Sequence, residues 1–186
     1  MAASSFLQYV RFAYLSKPAS DRPLYRAIRS LRPKSIVELG VGIGIRSKRL
    51  IQVAQRYAGN DKVRYTGIDL FEGRSANQPG LTLKRAHTTL KSLGAKVQLV
   101  PGDPFSALAR AANALVGTDL VVIGADQDSD SLKRAWFYVP RMLTDNSRVF
   151  LEEYQEDEGA RTFQELDLAA IKQIAVKATG SAKRAA

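Results

Sequence analysis

The chain of 186 residues has no cysteine and a single histidine, His87. The first absence removes disulfides, thiolate nucleophiles and cysteine-bound zinc. The second removes any site built on two imidazoles. No apolar run approaches the roughly 20 residues that a bilayer-spanning helix needs, so no membrane partner is expected. Polar residues interrupt the first eleven positions, which argues against a secretory signal and makes a cytoplasmic protein the expectation. Acids are scarce: 18 Asp and Glu stand against 28 Lys and Arg, a net charge of +10. Residues 1–48 hold nine Lys and Arg against Asp21 and Glu38, and the last fifteen residues add four more with no acid. Such an excess invites a nucleic-acid partner. The aromatic-interleaved basic motifs of RNA-binding modules are missing, however, and solvated surface charge is the simpler account. What remains is the composition of one globular domain, 45% hydrophobic and 25% charged.

The stretch around which the chain is organised runs from Ser35 to Ile51. Ile36 and Val37 read as the end of a buried strand. Gly40, Gly42 and Gly44 follow at alternate positions. Leu50, Ile51 and Ala54 then share one side of a segment whose other side carries Arg46, Lys48 and Arg49, the pattern of an amphipathic helix. Strand, glycine turn and helix bring backbone close to a ligand, and the helix N-terminus presents free N–H groups to it. A dinucleotide fingerprint would need a glycine where Ile45 stands. The spacing is instead Glu38-x-Gly40-x-Gly42-x-Gly44, with an acid that suits a cationic ligand better than a pyrophosphate. A glycine-rich turn with no ligand is the alternative.

Upstream, the apolar spacing of Phe6, Tyr9, Val10, Ala13 and Tyr14 predicts a helix over 4–16. A second helix begins at Ser20 or Asp21 as cap, carries Pro23 in its first turn and stops before Pro33. Its Leu24, Ile28 and Leu31 lie on one side, and Arg22, Arg26 and Arg29 on the other, toward water or an acidic partner. Downstream, strands are expected at 61–69, 95–100, 118–124 and 148–154, with helices at 45–58, 81–93, 105–115 and 132–143. A turn is expected at 144–147. Asp69 closes the second strand, Gly102 and Asp103 follow the third, and Ala125 and Asp126 follow the fourth, which is apolar and β-branched enough to be central. Arg161 to Leu166 reads as a possible sixth strand, and Leu168 to Val176 as a strand or a short helix. His87 falls in a helix away from the strand exits. Strands alternating with helices, with a glycine or an acid at each exit, predict a doubly wound, mainly parallel α/β sheet. The expected division is a helical segment at 1–34, a Rossmann-like domain at 35–177 and a flexible basic tail at 178–186.

On the glycine motif, the acid of the second strand and the Gly102-Asp103 pair, the chain resembles the class I S-adenosylmethionine-dependent methyltransferases over roughly 35–154. The resemblance implies a fold with two additional N-terminal helices here and a shortened C-terminal end. It implies S-adenosylmethionine (SAM) as cofactor, held by Glu38, Gly40, Gly42, Gly44, Asp69, Leu70, Gly102, Asp103, Pro104 and Ala125. Asp69 would accept from the ribose hydroxyls and Asp103 from the adenine amine. The acceptor is expected to be a small molecule rather than nucleic acid. Candidates for a general base stand at exits four and five, with Asp126 first, although a cap of the following helix is the competing role. The cation-dependent branch carries acid-Ala-Asp after the fourth strand. Gly124-Ala125-Asp126 lacks the first acid, so no metal is assigned, although Glu152 and Glu153 together with Asp126 have the oxygens that a hard cation would need. Glu152, Glu153, Glu156, Asp157 and Glu158 cluster where a cationic acceptor would be attracted, or form a solvated turn.

Overall fold

A computed structural model describes residues 2–59, 61–75, 77–155 and 160–184. Helix α1 (Ala2–Val10) continues as a π-helical turn over Arg11–Leu15, and α2 spans Arg22–Leu31. Asp21 does not cap α2 as expected. Its side chain instead accepts from the Tyr25 hydroxyl at 3.2 Å, and Pro23 sits in the first turn. Then follow β1 (Ser35–Leu39), α3 (Ile45–Tyr57), β2 (Arg64–Asp69), α4 (Leu83–Lys91), β3 (Lys96–Pro101), α5 (Pro104–Ala111) and β4 (Thr118–Ile123). The second half adds α6 (Ser129–Ala135), α7 (Val139–Met142), β5 (Leu143–Gln155), β6 (Ala160–Leu166) and α8 (Leu168–Arg184).

The six strands form one sheet in the order β3-β2-β1-β4-β5-β6. The first five are parallel, and β6 returns antiparallel beside β5. The chain winds outward from β1 to β3, then crosses back to β4 and β5. The strand order therefore reverses between β1 and β4, and a crevice opens at their carboxyl ends. Alternation along the strands feeds two cores. Ile36, Tyr65, Leu120, Val122 and Phe150 pack against α1, α2, α3 and α4 on one face. Val37, Leu39, Ile68, Val121 and Val149 pack against α5 to α8 on the other.

Three local expectations are corrected. The single helix at 132–143 is two, α6 and α7, separated by a turn over 136–138 with Pro140 in the first turn of the second. Residues 144–147, expected as a turn, belong to β5 as a bulge. There the register jumps from Thr118↔Leu143 to Leu120↔Arg148, and Ser147 Oγ bonds Thr118 O at 2.6 Å to hold the excursion in the sheet. The segment after β6 is helix throughout, and α8 carries through residues 178–184 where a tail is expected. Its buried Ile171 anchors it in the second core.

Candidate functional site

The turn after β1 has the conformation that its glycines permit. Gly40, Gly42 and Gly44 have φ of +94°, +57° and +76°, values that a side chain would strain. The Gly40 N–H donates to Ile68 O and the Gly124 N–H to Leu39 O, each at 2.8 Å, so the turn is stitched to both neighbouring strands. Asp69, 6% exposed, meets the turn from β2. Its Oδ2 accepts from the Gly42 N–H at 2.8 Å, its Oδ1 from the Phe71 N–H at 3.3 Å, and its carboxylate pairs with Arg74. The sequence-predicted glycines and acid are thus brought into direct contact.

The chain's own side chains cover part of this cradle. The Leu81 N–H donates to Gly42 O at 3.0 Å, and its Cδ1 lies 2.7 Å from where a Cβ on Gly44 would sit. The Gln127 amide lies against Gly40, and Arg74 packs on Gly80. Above Gly42 a Cβ would meet nothing within 4 Å. Arg74 Nη1 is buried without a hydrogen-bond partner. The cradle therefore fits a nucleoside in backbone shape and in its acid, while three movable side chains stand over it. Leu70, Ile43 and Ile45 are exposed at the rim and supply apolar surface beside it.

At the third strand exit, Asp103 is the N-cap of α5. Its Oδ1 accepts from the Phe105 and Ser106 N–H groups, each at 3.1 Å, and from the Ser131 hydroxyl, and its Oδ2 accepts from the Ser106 hydroxyl. Burial pushes this carboxyl up, but the Ser106 and Ser131 bonds outweigh it and hold it at about 2. Pro104 takes the first helical position and is buried, and the Gly102 N–H donates to Asp69 O at 2.9 Å. Capping commits Oδ1, and Oδ2 is left to receive one further donor.

The fourth and fifth exits hold a buried ionic network that the sequence reading missed. Glu38 faces α3 and β2. It is fully buried, and it accepts from Arg46 Nε at 2.8 Å, Ser47 Oγ at 2.6 Å and the Tyr65 hydroxyl. Burial, then the neighbouring Glu38, push the Tyr65 phenol well above its usual range. Arg46 also donates to Gly40 O at 3.0 Å and to Glu152 Oε2 at 3.1 Å, and the same Glu152 oxygen accepts from the Ala125 N–H at 3.0 Å. Burial opposes the charge on Arg46, but Glu38 and Glu152 more than compensate and raise its pKa. Gly124 makes room for this guanidinium, since a Cβ there would lie 2.8 Å from Arg46 Nη2. Asp21 borders the network. Burial raises its pKa to about 6, against the pull of Arg46 and Tyr25 and with the push of Glu38 and Glu152. One signal in the sequence pointed here: Arg46 lies four residues before Leu50, on the buried side of α3 rather than the basic one.

Asp126 is paired with Arg161 of β6 through two bonds of 2.7 Å. It caps nothing; the cap of α6 is Asp128, which accepts from the Ser131 N–H at 2.7 Å. Glu153 and Tyr154 are exposed, and Glu156, Asp157 and Glu158 lie outside the described residues. His87 is half-buried on α4. Among the described residues, no three acids or imidazoles are grouped to hold a metal ion.

No family model matches the sequence, and no curated protein does. Solved structures match over nearly the whole chain. TomG of Streptomyces achromogenes, an O-methyltransferase of tomaymycin synthesis solved with SAM, is 14% identical, with 96% of this chain and 77% of TomG covered at a TM-score of 0.55. A Klebsiella pneumoniae protein named for O-methyltransferase activity is 14% identical over 96% of this chain and 76% of its own, at 0.57. A Staphylococcus aureus protein named for caffeoyl-CoA O-methyltransferase activity is 13% identical over 94% and 78%, at 0.53. At these identities the likeness is one of fold. The fold is that of the class I SAM-dependent methyltransferases, a six-stranded mixed sheet flanked by helices.

Proposed function

We propose that the protein binds SAM at the carboxyl edge of β1 and β2 and transfers its methyl group to a small-molecule acceptor. The observation that carries this reading is the contact between the Gly40–Gly44 turn and Asp69, in the fold that methyltransferases use. Gly40, Gly42 and Gly44 would lie under the cofactor, Asp69 would receive the ribose hydroxyls once Arg74 swings away, and Leu70 and Pro104 would flank the adenine. Asp103 Oδ2 is left for the adenine amine, and Ala125 borders the methionine side. Bound SAM supplies a methyl carbon activated by its positively charged sulfur, so alignment of the acceptor does most of the work. Asp126, released from Arg161, is the proposed acceptor of a hydroxyl proton. Glu38 acts through Arg46, which it holds under Gly40 and against Glu152. Because Glu152 is committed to Arg46 and Ala125, Glu153 is the described acid left to attract a cationic acceptor.

Calorimetry tests this directly. SAM and S-adenosylhomocysteine are expected to bind and NAD is not, and Asp69→Ala weakens binding by about tenfold or more, as the loss of a charge-assisted bond implies. Failure of both nucleosides to bind overturns the proposal. A second reading, a partner module of the same fold without catalysis, is favoured by Leu81, Gln127 and Arg74 standing over the cradle. Binding of SAM with no labelled methyl passed to any acceptor class would decide for it.

A further inference from the structure

The N-terminal helix carries apolar side chains that the fold buries and others that it leaves exposed. Tyr9, Phe12 and Ala13 are buried against α2 and α3. Beside them Phe6, Leu7, Tyr14 and Leu15 are 47%, 67%, 48% and 70% exposed. Four exposed large apolar side chains in ten residues are a local concentration, not the scattered exposure of an ordinary surface. Leu7, Arg11 and Leu15 form one row at a spacing of four, so a cation lies within the patch. Cations flank it. Arg29 stacks on Tyr9 at 5.3 Å, and Lys17, two residues beyond Leu15, is exposed. The two acids among the first 48 residues face inward, Asp21 at 2% exposure and Glu38 at 0%. The next acid in the chain, Asp61, is neutralised by Lys34 at 2.7 Å.

The absence of a spanning run excludes a transmembrane helix but not a helix lying in the interface. Against the expectation of no membrane partner, we propose that this face docks on an anionic membrane surface, with Phe6, Leu7, Tyr14 and Leu15 entering the headgroup boundary and Arg11, Lys17 and Arg29 contacting lipid phosphates. A basic amphipathic helix lying in the interface plane has this arrangement of apolar arc and cationic flank. Arg11–Leu15 and α1 together are about 20 Å long at ~1.5 Å per residue, long enough to lie flat but too short to span. Charge complementarity selects this occupant over two others. A second copy packed symmetrically through the same patch would set Arg11 and Arg29 against their own kind with no acid to pair them. Nucleic acid would satisfy the cations and leave the leucines in water.

Sedimentation of the full chain with vesicles tests it. Binding to phosphatidylcholine vesicles containing phosphatidylglycerol is expected, little binding to phosphatidylcholine alone, and a decline as salt is raised. Leu7→Glu and Leu15→Glu each lower the partition by about tenfold, and Arg11→Gln and Arg29→Gln each by about fivefold. Both leucines are largely exposed, so circular dichroism of their variants should match the parent and exclude unfolding as the cause. Equal binding to neutral and anionic vesicles, no vesicle binding, or indifference to the leucine changes would overturn the proposal. So would a dimer that Leu7→Glu dissociates, or RNA binding that competes with the vesicles and ignores both leucine changes.

Discussion

Replacing Arg46 with methionine would leave Glu38 and Glu152 buried without their shared cation. Breaking a buried pair by removing one partner costs about 3–5 kcal/mol, far more than an exposed pair contributes. Arg46→Met should therefore shift the urea midpoint strongly, while Lys34→Met, which breaks the exposed pair with Asp61, should barely move it. Asp21 offers a pH test. Its folded pKa of about 6 lies above the ordinary 3.8, so the native state binds a proton that the unfolded chain releases. Its stabilising contribution is complete below 3.8 and disappears as the pH rises through 6. Asp21→Asn should flatten the fall in stability across that window, as urea titrations at successive pH values would read. Single residues were also where the sequence was hardest to read. Asp126 and Asp128 sit two apart with the same chemistry, and only the backbone at Asp128 makes it the cap, while Arg161, 35 positions away, claims Asp126. Glu38 looked available to a ligand because its three donors come from α3 and β2, whose approach no local spacing encodes.

Whole elements were far more legible. The apolar run of β4, the glycines after β1 and the acid ending β2 each follow from periodicity and turn chemistry, and the parallel order follows from their alternation with helices. The break between α6 and α7 was visible only as Pro140, which the packing residues around it masked. The identity of α8 was open because its apolar spacing suits either state until Ile171 meets the second core. Least legible was the segment between β2 and α4, since nothing in its composition says that Leu81 and Arg74 fold back over the glycine turn. For the proposed cofactor, that arrangement makes entry a competition. Leu81→Ala and Arg74→Gln should each tighten SAM binding by about fivefold, because a ligand gains affinity when the covered form loses contacts. Calorimetry on the two variants checks this, and weaker binding in both would mean that these side chains hold the nucleoside instead of excluding it.

Across the whole molecule, the two cores meet the same sheet, and the crevice lies where that sheet reverses order. A ligand bound there touches both halves of the winding and should stabilise them as one unit. At a hundredfold excess over its dissociation constant, SAM should add about 2.7 kcal/mol. A domain of this size then melts roughly 5–10 °C higher. Differential scanning fluorimetry with S-adenosylhomocysteine should show the same rise, and NAD should show none. The guanidinium against Gly124 carries the matter further. It sits beside the mouth of the fourth strand, held by two carboxylates. The proposed methyl transfer is accordingly expected to ignore chelators and the mineral content of the medium, because the positive pole of the pocket is built into the polypeptide.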